Sequence, residues 1–223
     1  MPKSPPSVFR AGLFEGSVIL VTGGGTGIGY AIAAEFASLG GTVVIASRSM
    51  EKLSVAVDKA RAELGVTMHA REISLRDEAS IEACVESIVA EHGKIDVLVN
   101  NAGGQFPTPA ENLTRNGFKA VVDLNLLGTF MVSKAVYNAT MRDTGGSIVN
   151  ITLGNRNGMP TMAHSGAARA GVENMARTMA AEWVSDGVRV NCVRPGIIYT
   201  ESGFANYGDV GETMMAKILP SLP

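Results

Sequence analysis

Metal-ligand spacings, cysteine pairs and runs of basic charge are not visible in this chain of 223 residues. Its two cysteines, Cys84 and Cys192, stand far apart in apolar contexts. They read as reduced core thiols of an intracellular protein, not as a disulfide framework. The three histidines, His69, His92 and His164, stand alone without zinc-type spacing, so no metal is expected. Lys and Arg number 19 against 21 Asp and Glu, and the net charge of -2 comes with no basic run. That balance excludes nucleic acid as the main partner. Met1 to Ser7 is polar and proline-rich and lacks the apolar core of a secretory signal. No segment is read as long and apolar enough to span a membrane, and a cytoplasmic protein is expected.

What is present centres on Thr22-Gly23-Gly24-Gly25-Thr26-Gly27-Ile28-Gly29. The β-branched run Val18 to Val21 precedes it, and Tyr30 to Ala37, of helical composition, follows. Strand, glycine turn and helix in that order suit a dinucleotide. Glycines let backbone approach a pyrophosphate, and the first helical turn offers unpaired N–H groups and a positive dipole end. Contacts are therefore expected from Gly23, Gly25, Thr26, Gly27, Ile28 and Gly29.

Residues 1–14 read as a flexible arm and 15–223 as one domain. Buried strands are expected at Thr42 to Ala46, Val66 to Glu72, Ile95 to Val99, Ser147 to Ile151 and Val188 to Val193. Helices are expected at Met50 to Leu64, Asp77 to Glu91, Arg115 to Met141, Met162 to Val184 and Glu212 to Leu219. Alternation of nearly continuous apolar strands with helices means an α/β fold, a doubly wound parallel sheet of order 3-2-1-4-5-6. Nothing supplies a strand beyond the sixth. The chain then stops at Pro220-Ser221-Leu222-Pro223, so the edge is expected to be shortened or covered by a partner.

Further motifs resemble the short-chain dehydrogenase/reductase family: the Thr22-Gly23-x-x-x-Gly27-x-Gly29 spacing, Asn100-Asn101-Ala102-Gly103, Asp123-Leu124-Asn125, and Pro195-Gly196 followed by Thr200. The resemblance implies cofactor contacts from Asn101, Ala102, Gly103, Pro195, Gly196, Ile198 and Thr200, with Ser74 near the adenine. It also implies a homodimer or homotetramer. Cofactor choice follows from charge. Ala46-Ser47-Arg48-Ser49 places no carboxylate where NAD binders carry one, and Arg48 can grip a phosphate with Ser47 beside it, so NADP(H) is expected.

Family members that make alcohols use a Tyr-x-x-x-Lys pair with a Ser and an Asn. Here Ser165 stands at the tyrosine position, Arg169 at the lysine position and Leu153 at the serine position, while Asn125 is unchanged. A serine hydroxyl is a poor acid, and a guanidinium passes on no proton. Hydride addition to an α,β-unsaturated thioester fits this set, because an enolate oxygen needs hydrogen-bond donors more than a proton. The run His164-Ser165-Gly166-Ala167-Ala168-Arg169-Ala170-Gly171-Val172, with Gly103-Gly104-Gln105-Phe106 and Ile198-Tyr199-Thr200-Glu201, is similar to peroxisomal trans-2-enoyl-CoA reductases and related 2,4-dienoyl-CoA reductases. That resemblance implies an acyl-CoA substrate and, for a shortened chain, a peroxisomal setting. Asn125, Ser165, Arg169 and Tyr199 are the catalytic candidates, with Thr152 a further oxyanion donor and His164 a proton source. Two alternatives remain open: an NADP(H)-binding protein without catalysis, and an alcohol dehydrogenase using Tyr199 as acid.

Overall fold

The computed structural model describes residues 7–154, 158–200 and 203. The expected Glu212 to Leu219 helix, Glu201 and the closing prolines lie outside them, as does the start of the arm. The elements are β1 (Val18–Thr22), α1 (Gly27–Ser38), β2 (Thr42–Ser47), α2 (Met50–Leu64), β3 (Met68–Glu72), α3 (Glu78–His92), β4 (Val97–Asn100), α4 (Arg115–Thr144), β5 (Gly146–Ile151), α5 (Ala163–Trp183) and β6 (Val188–Val193). All strand pairs are parallel, in the order β3-β2-β1-β4-β5-β6.

Two apolar layers sandwich the sheet, and alternation along β1 assigns them. Ile19 and Val21 pack with Ala33 and Ala37 of α1 and Leu53, Ala56 and Ala60 of α2. Val18 and Leu20 belong to the other layer, with Ile81, Val85 and Ile88 of α3 and Val132 and Val136 of α4. Right-handed crossovers place helices on opposite faces once the chain reverses its winding between β1 and β4. Caps set the helix ends. Ser49 accepts from Lys52 N–H and Asp77 from Ala79 N–H, and α2 and α3 both stop at left-handed glycines, Gly65 and Gly93.

The arm is anchored at its inner end. Phe14 bonds Leu39 through its backbone and packs edge-on against Phe36 with ring centroids 4.7 Å apart. At the far edge, Val188 and Val190 of β6 are buried while Arg189, Asn191 and Val193 are exposed. Among the described residues no strand pairs with that edge.

The helix read as Arg115 to Met141 runs on to Thr144, with two π-helical turns, Asp123–Leu127 and Tyr137–Met141. It corrects the expectation about membrane spans. At 30 residues and a mean hydropathy of 1.2 it is long and apolar enough by those measures. In the fold it lies against β4, α3 and α5 and buries Val121, Asn125, Thr129, Val132, Ser133 and Val136. The stripe Val172, Met175 and Met179 on α5 is likewise turned inward, with Val172 and Met179 buried.

Leu98 is fully buried at the centre of β4, between β1 and β5. Leu98→Ala is expected to cost about 2–5 kcal/mol through lost transfer energy and a cavity, read as a fall in Tm. An unchanged Tm contradicts this packing.

Candidate active site at the switch point of the sheet

The carboxyl ends of β1 and β4 diverge where the strand order reverses, the usual crevice for a ligand in such sheets. Side-chain bonds lace the two ends together. Thr22 Oγ1 accepts the Asn101 and Ala102 N–H groups at 3.1 Å each. Asn101 Nδ2 donates to the carbonyls of Thr22 and Gly23 at 3.1 and 3.2 Å. Gly23 N–H donates to Ala46 O at 2.7 Å, tying the turn to β2. Gly29 enters α1 against this knot, where a Cβ would sit 2.3 Å from Gly23 O, so only glycine fits.

The start of α1 is left open. Its N-cap residue Thr26 makes no side-chain cap bond, unlike Ser49, Asp77 and Thr114. The first-turn amides of Gly27, Ile28 and Gly29, with Gly25 before them, thus stay available to an anion, which fits a pyrophosphate. Ala46 is level with Thr22 in the sheet, so Ser47 and Arg48 follow directly beside the turn. Arg48 is exposed, and among the described residues it has no ion-pair or hydrogen-bond partner. Ser74 follows the end of β3, its N–H bonded to Ser80 Oγ at 2.9 Å.

The reacting end is built from α4, α5 and the loop after β4. Asn125 is fully buried in the first π-helical turn of α4, a local widening that recurs at functional sites. Its amide is committed at both ends: Oδ1 accepts Gly104 N–H at 2.9 Å and Nδ2 donates to Gly104 O at 3.0 Å. Arg169 is 8 % exposed and donates to Ile151 O at 3.0 Å. Burial lowers its pKa to about 10, so it remains a cation at neutral pH. No carboxylate among the described residues pairs with it. A Cβ on Gly103 would lie 2.1 Å from Arg169 Nη2 and 2.9 Å from Asn125 Oδ1, so the motif glycine is where both groups converge.

Ser165 is fully buried, and its hydroxyl donates to Gln105 Oε1. The next side chain back, His164, is also fully buried, edge-on to Phe106 with centroids 4.6 Å apart. Its Nδ1 accepts Ser165 N–H at 2.7 Å, which leaves the ring proton on Nε2. That N–H is buried without a hydrogen-bond partner among the described residues.

Thr152 corrects one expectation. Its hydroxyl lies between Glu173 Oε1 and Val193 O, both at 3.2 Å, and so serves the scaffold instead of an oxyanion. Tyr199, 63 % exposed, sits with Pro195, Gly196, Ile198 and Thr200 on the segment after β6. Gly154 N–H donates to Pro195 O at 3.1 Å, joining that segment to the end of β5.

Three features carried no sequence signal for the role the fold gives them. Glu173 of α5 takes a two-pronged ion pair from Arg194, with Nε at 2.7 Å, and fixes the residue before Pro195. Gln105 holds Ser165. Thr161, just before α5, has φ 66°, a strained value for a β-branched residue, and its carbonyl accepts Thr108 N–H at 2.8 Å. A pairing signal between residues distant in sequence was needed to find any of them.

A family model described as short chain dehydrogenase matches residues 17–206. A peroxisomal 2,4-dienoyl-CoA reductase [(3E)-enoyl-CoA-producing] of Danio rerio is 40% identical over 203 residues, covering 90% of this chain and 67% of that relative. A solved citronellol catabolism dehydrogenase of Pseudomonas aeruginosa PAO1 is 47% identical, with TM-score 0.82, covering 85% of this chain and 78% of that one. An actinorhodin polyketide ketoreductase solved with NADPH is 32% identical, with TM-score 0.86, covering 96% and 85%.

Glu173→Gln removes the charge that holds Arg194 and should loosen the segment beginning at Pro195. Dinucleotide affinity, read by NADPH fluorescence titration, is expected to fall about five- to tenfold, equivalent to about 1–1.4 kcal/mol. An unchanged Kd contradicts the clamp.

Proposed function

Since the chain belongs to the short-chain dehydrogenase family and is a nicotinamide-dependent oxidoreductase of that type, we propose that it uses NADPH to reduce a conjugated acyl-CoA thioester, a 2,4-dienoyl-CoA or trans-2-enoyl-CoA. The observation that carries this reading is a buried Arg169, without a carboxylate partner among the described residues, one helical turn from a hydroxyl, Ser165, already engaged by Gln105. The site offers positive charge and hydrogen-bond donors but no phenol at the helix position that would protonate an alkoxide. The dienoyl-CoA reductase relative supports the thioester.

When bound, the nicotinamide supplies a hydride. The glycine turn and the α1 amides would hold the pyrophosphate, Asn101, Ala102, Gly103 and Arg169 the nicotinamide half, and Pro195, Gly196, Ile198 and Thr200 its other face. Addition to the end of the conjugated system pushes electrons onto the thioester oxygen. The His164 Nε2–H then stabilises that oxygen, with Arg169 supplying charge and Tyr199 a further donor, while Ser165, its hydroxyl proton given to Gln105 Oε1, positions that side chain at the site. Asn125 acts by fixing Gly104, and through it the loop carrying Gln105. A proton delivered to the α-carbon completes a 3-enoyl product from a dienoyl substrate, or a saturated one from an enoyl substrate.

NADPH is preferred over NADH because Arg48 is exposed beside the turn with no partner among the described residues. Ser47 and Ser74 add hydroxyls there. Exposed Phe118 and Leu127 on α4 support a homodimer or homotetramer. A peroxisomal setting accords with the name of that relative. The 47% identity to a citronellol catabolism dehydrogenase favours a second reading, oxidation of an isoprenoid alcohol.

NADPH consumption is to be followed with 2,4-dienoyl-CoA, 2-enoyl-CoA and simple ketones, and NADP reduction with citronellol. Turnover of thioesters alone is expected. Ketone or citronellol turnover without thioester turnover rejects the proposal, and tight NADPH binding with no turnover points to a non-catalytic binding protein. Arg48→Glu is expected to raise the KM for NADPH at least about tenfold and spare NADH, the loss of one charge-assisted contact. Equal effects on both cofactors contradict the assignment of Arg48.

A further inference from the structure

Two of the three histidines read as isolated are not isolated. His69, second residue of the edge strand β3, and His92, last residue of α3, bring their rings to 4.8 Å between centroids at 69°. Glu91 completes the group. Its Oε1 lies 3.6 Å from His69 Nδ1 and 3.5 Å from His92 Nε2, while its other oxygen is held by Arg71. The three donor atoms lie within 4.8 Å of one another. The His92 side chain is only 12 % exposed, and its Nε2 is buried without a hydrogen bond although it faces the carboxylate.

We propose that His69 Nδ1, His92 Nε2 and Glu91 Oε1 form a binding site for a zinc-class divalent cation that clips β3 to α3. The donor set, two imidazoles and a carboxylate, is one zinc favours, and tetrahedral ligands at zinc bond lengths stand about 3.3 Å apart. Two of the separations are already within a few tenths of an ångström of that. The cation would sit at the C-terminal end of α3, where helix carbonyls and dipole favour positive charge. Burial and the neighbouring His92 ring hold the His69 imidazole below its ordinary pKa, keeping it neutral and able to ligate. Arg71 opposes binding twice, by its charge and by its grip on Glu91, so the site binds more weakly than a structural zinc finger. His69 lies toward the start of its parallel strand, whereas the glycine turn lies at the carboxyl ends. The site is therefore independent of catalysis.

The test is calorimetric titration of the chelator-treated 223-residue chain with ZnCl₂, alongside thermal unfolding with and without the ion. One equivalent is expected to bind and raise Tm, with MgCl₂ and CaCl₂ inert. His69→Gln and His92→Gln are each expected to weaken binding at least about tenfold, and Arg71→Gln to tighten it several-fold. Absence of zinc binding by the wild type, or binding by the histidine variants as tight as the wild type's, overturns the proposal. Should a variant fail to fold, Co²⁺ added to the wild type must broaden the imidazole resonances of His69 and His92 and spare His164. Broadening elsewhere overturns it equally.

Discussion

A guanidinium shut inside the sheet's carboxyl end and bonded to a carbonyl is the constraint on which the site depends. Arg169 donates to Ile151 O and meets no carboxylate among the described residues. Burying a cation this way is costly unless something anionic or strongly polar shares the space. The neighbouring backbone is cut to suit it. Gly103 has no side chain because Arg169 Nη2 fills its place, and Asn125 clasps Gly104 by both amide ends. On the far side Glu173, the carboxylate that would neutralise such a charge, is spent on Arg194 and Thr152. Positive potential is thus preserved where a ribose, phosphate or enolate can use it.

The same arrangement explains why a site with serine in place of tyrosine on α5 is coherent. A phenol between a lysine and a serine serves oxygen protonation. With the Ser165 hydroxyl holding Gln105 and the His164 Nδ1 occupied by the Ser165 amide, this pocket keeps its His164 Nε2–H and the Arg169 guanidinium at fixed positions. Fixed donors stabilise developing charge without reorganising, which suits an enolate and serves an alkoxide poorly.

Much of this was legible in the residues. Strand order followed from apolar runs alternating with helices, because β1 and β2 are buried along nearly their whole length. The glycine turn announced itself by spacing, since only glycine tolerates the approach of Gly29 to Gly23. What escaped were pairings set by tertiary packing. Thr152 looked like a donor until Glu173 and Val193 claimed its hydroxyl. The π-helical turn at Asn125 has no composition of its own. His69 and His92 are separated by a whole helix, and only the β3–α3 connection brings them side by side. The Arg115–Thr144 helix shows the converse: composition alone fits a membrane span, and its packing on β4 and α3 decides otherwise.

The central claim is that the hydride ends on a carbon of the conjugated chain. The direct measurement uses NADPH deuterated at its transferable position with a 2,4-dienoyl-CoA, locating the label in the product by NMR and mass spectrometry. The account predicts deuterium on the carbon at the far end of the conjugated system, in a product that is still a thioester. Deuterium on a carbinol carbon would contradict it.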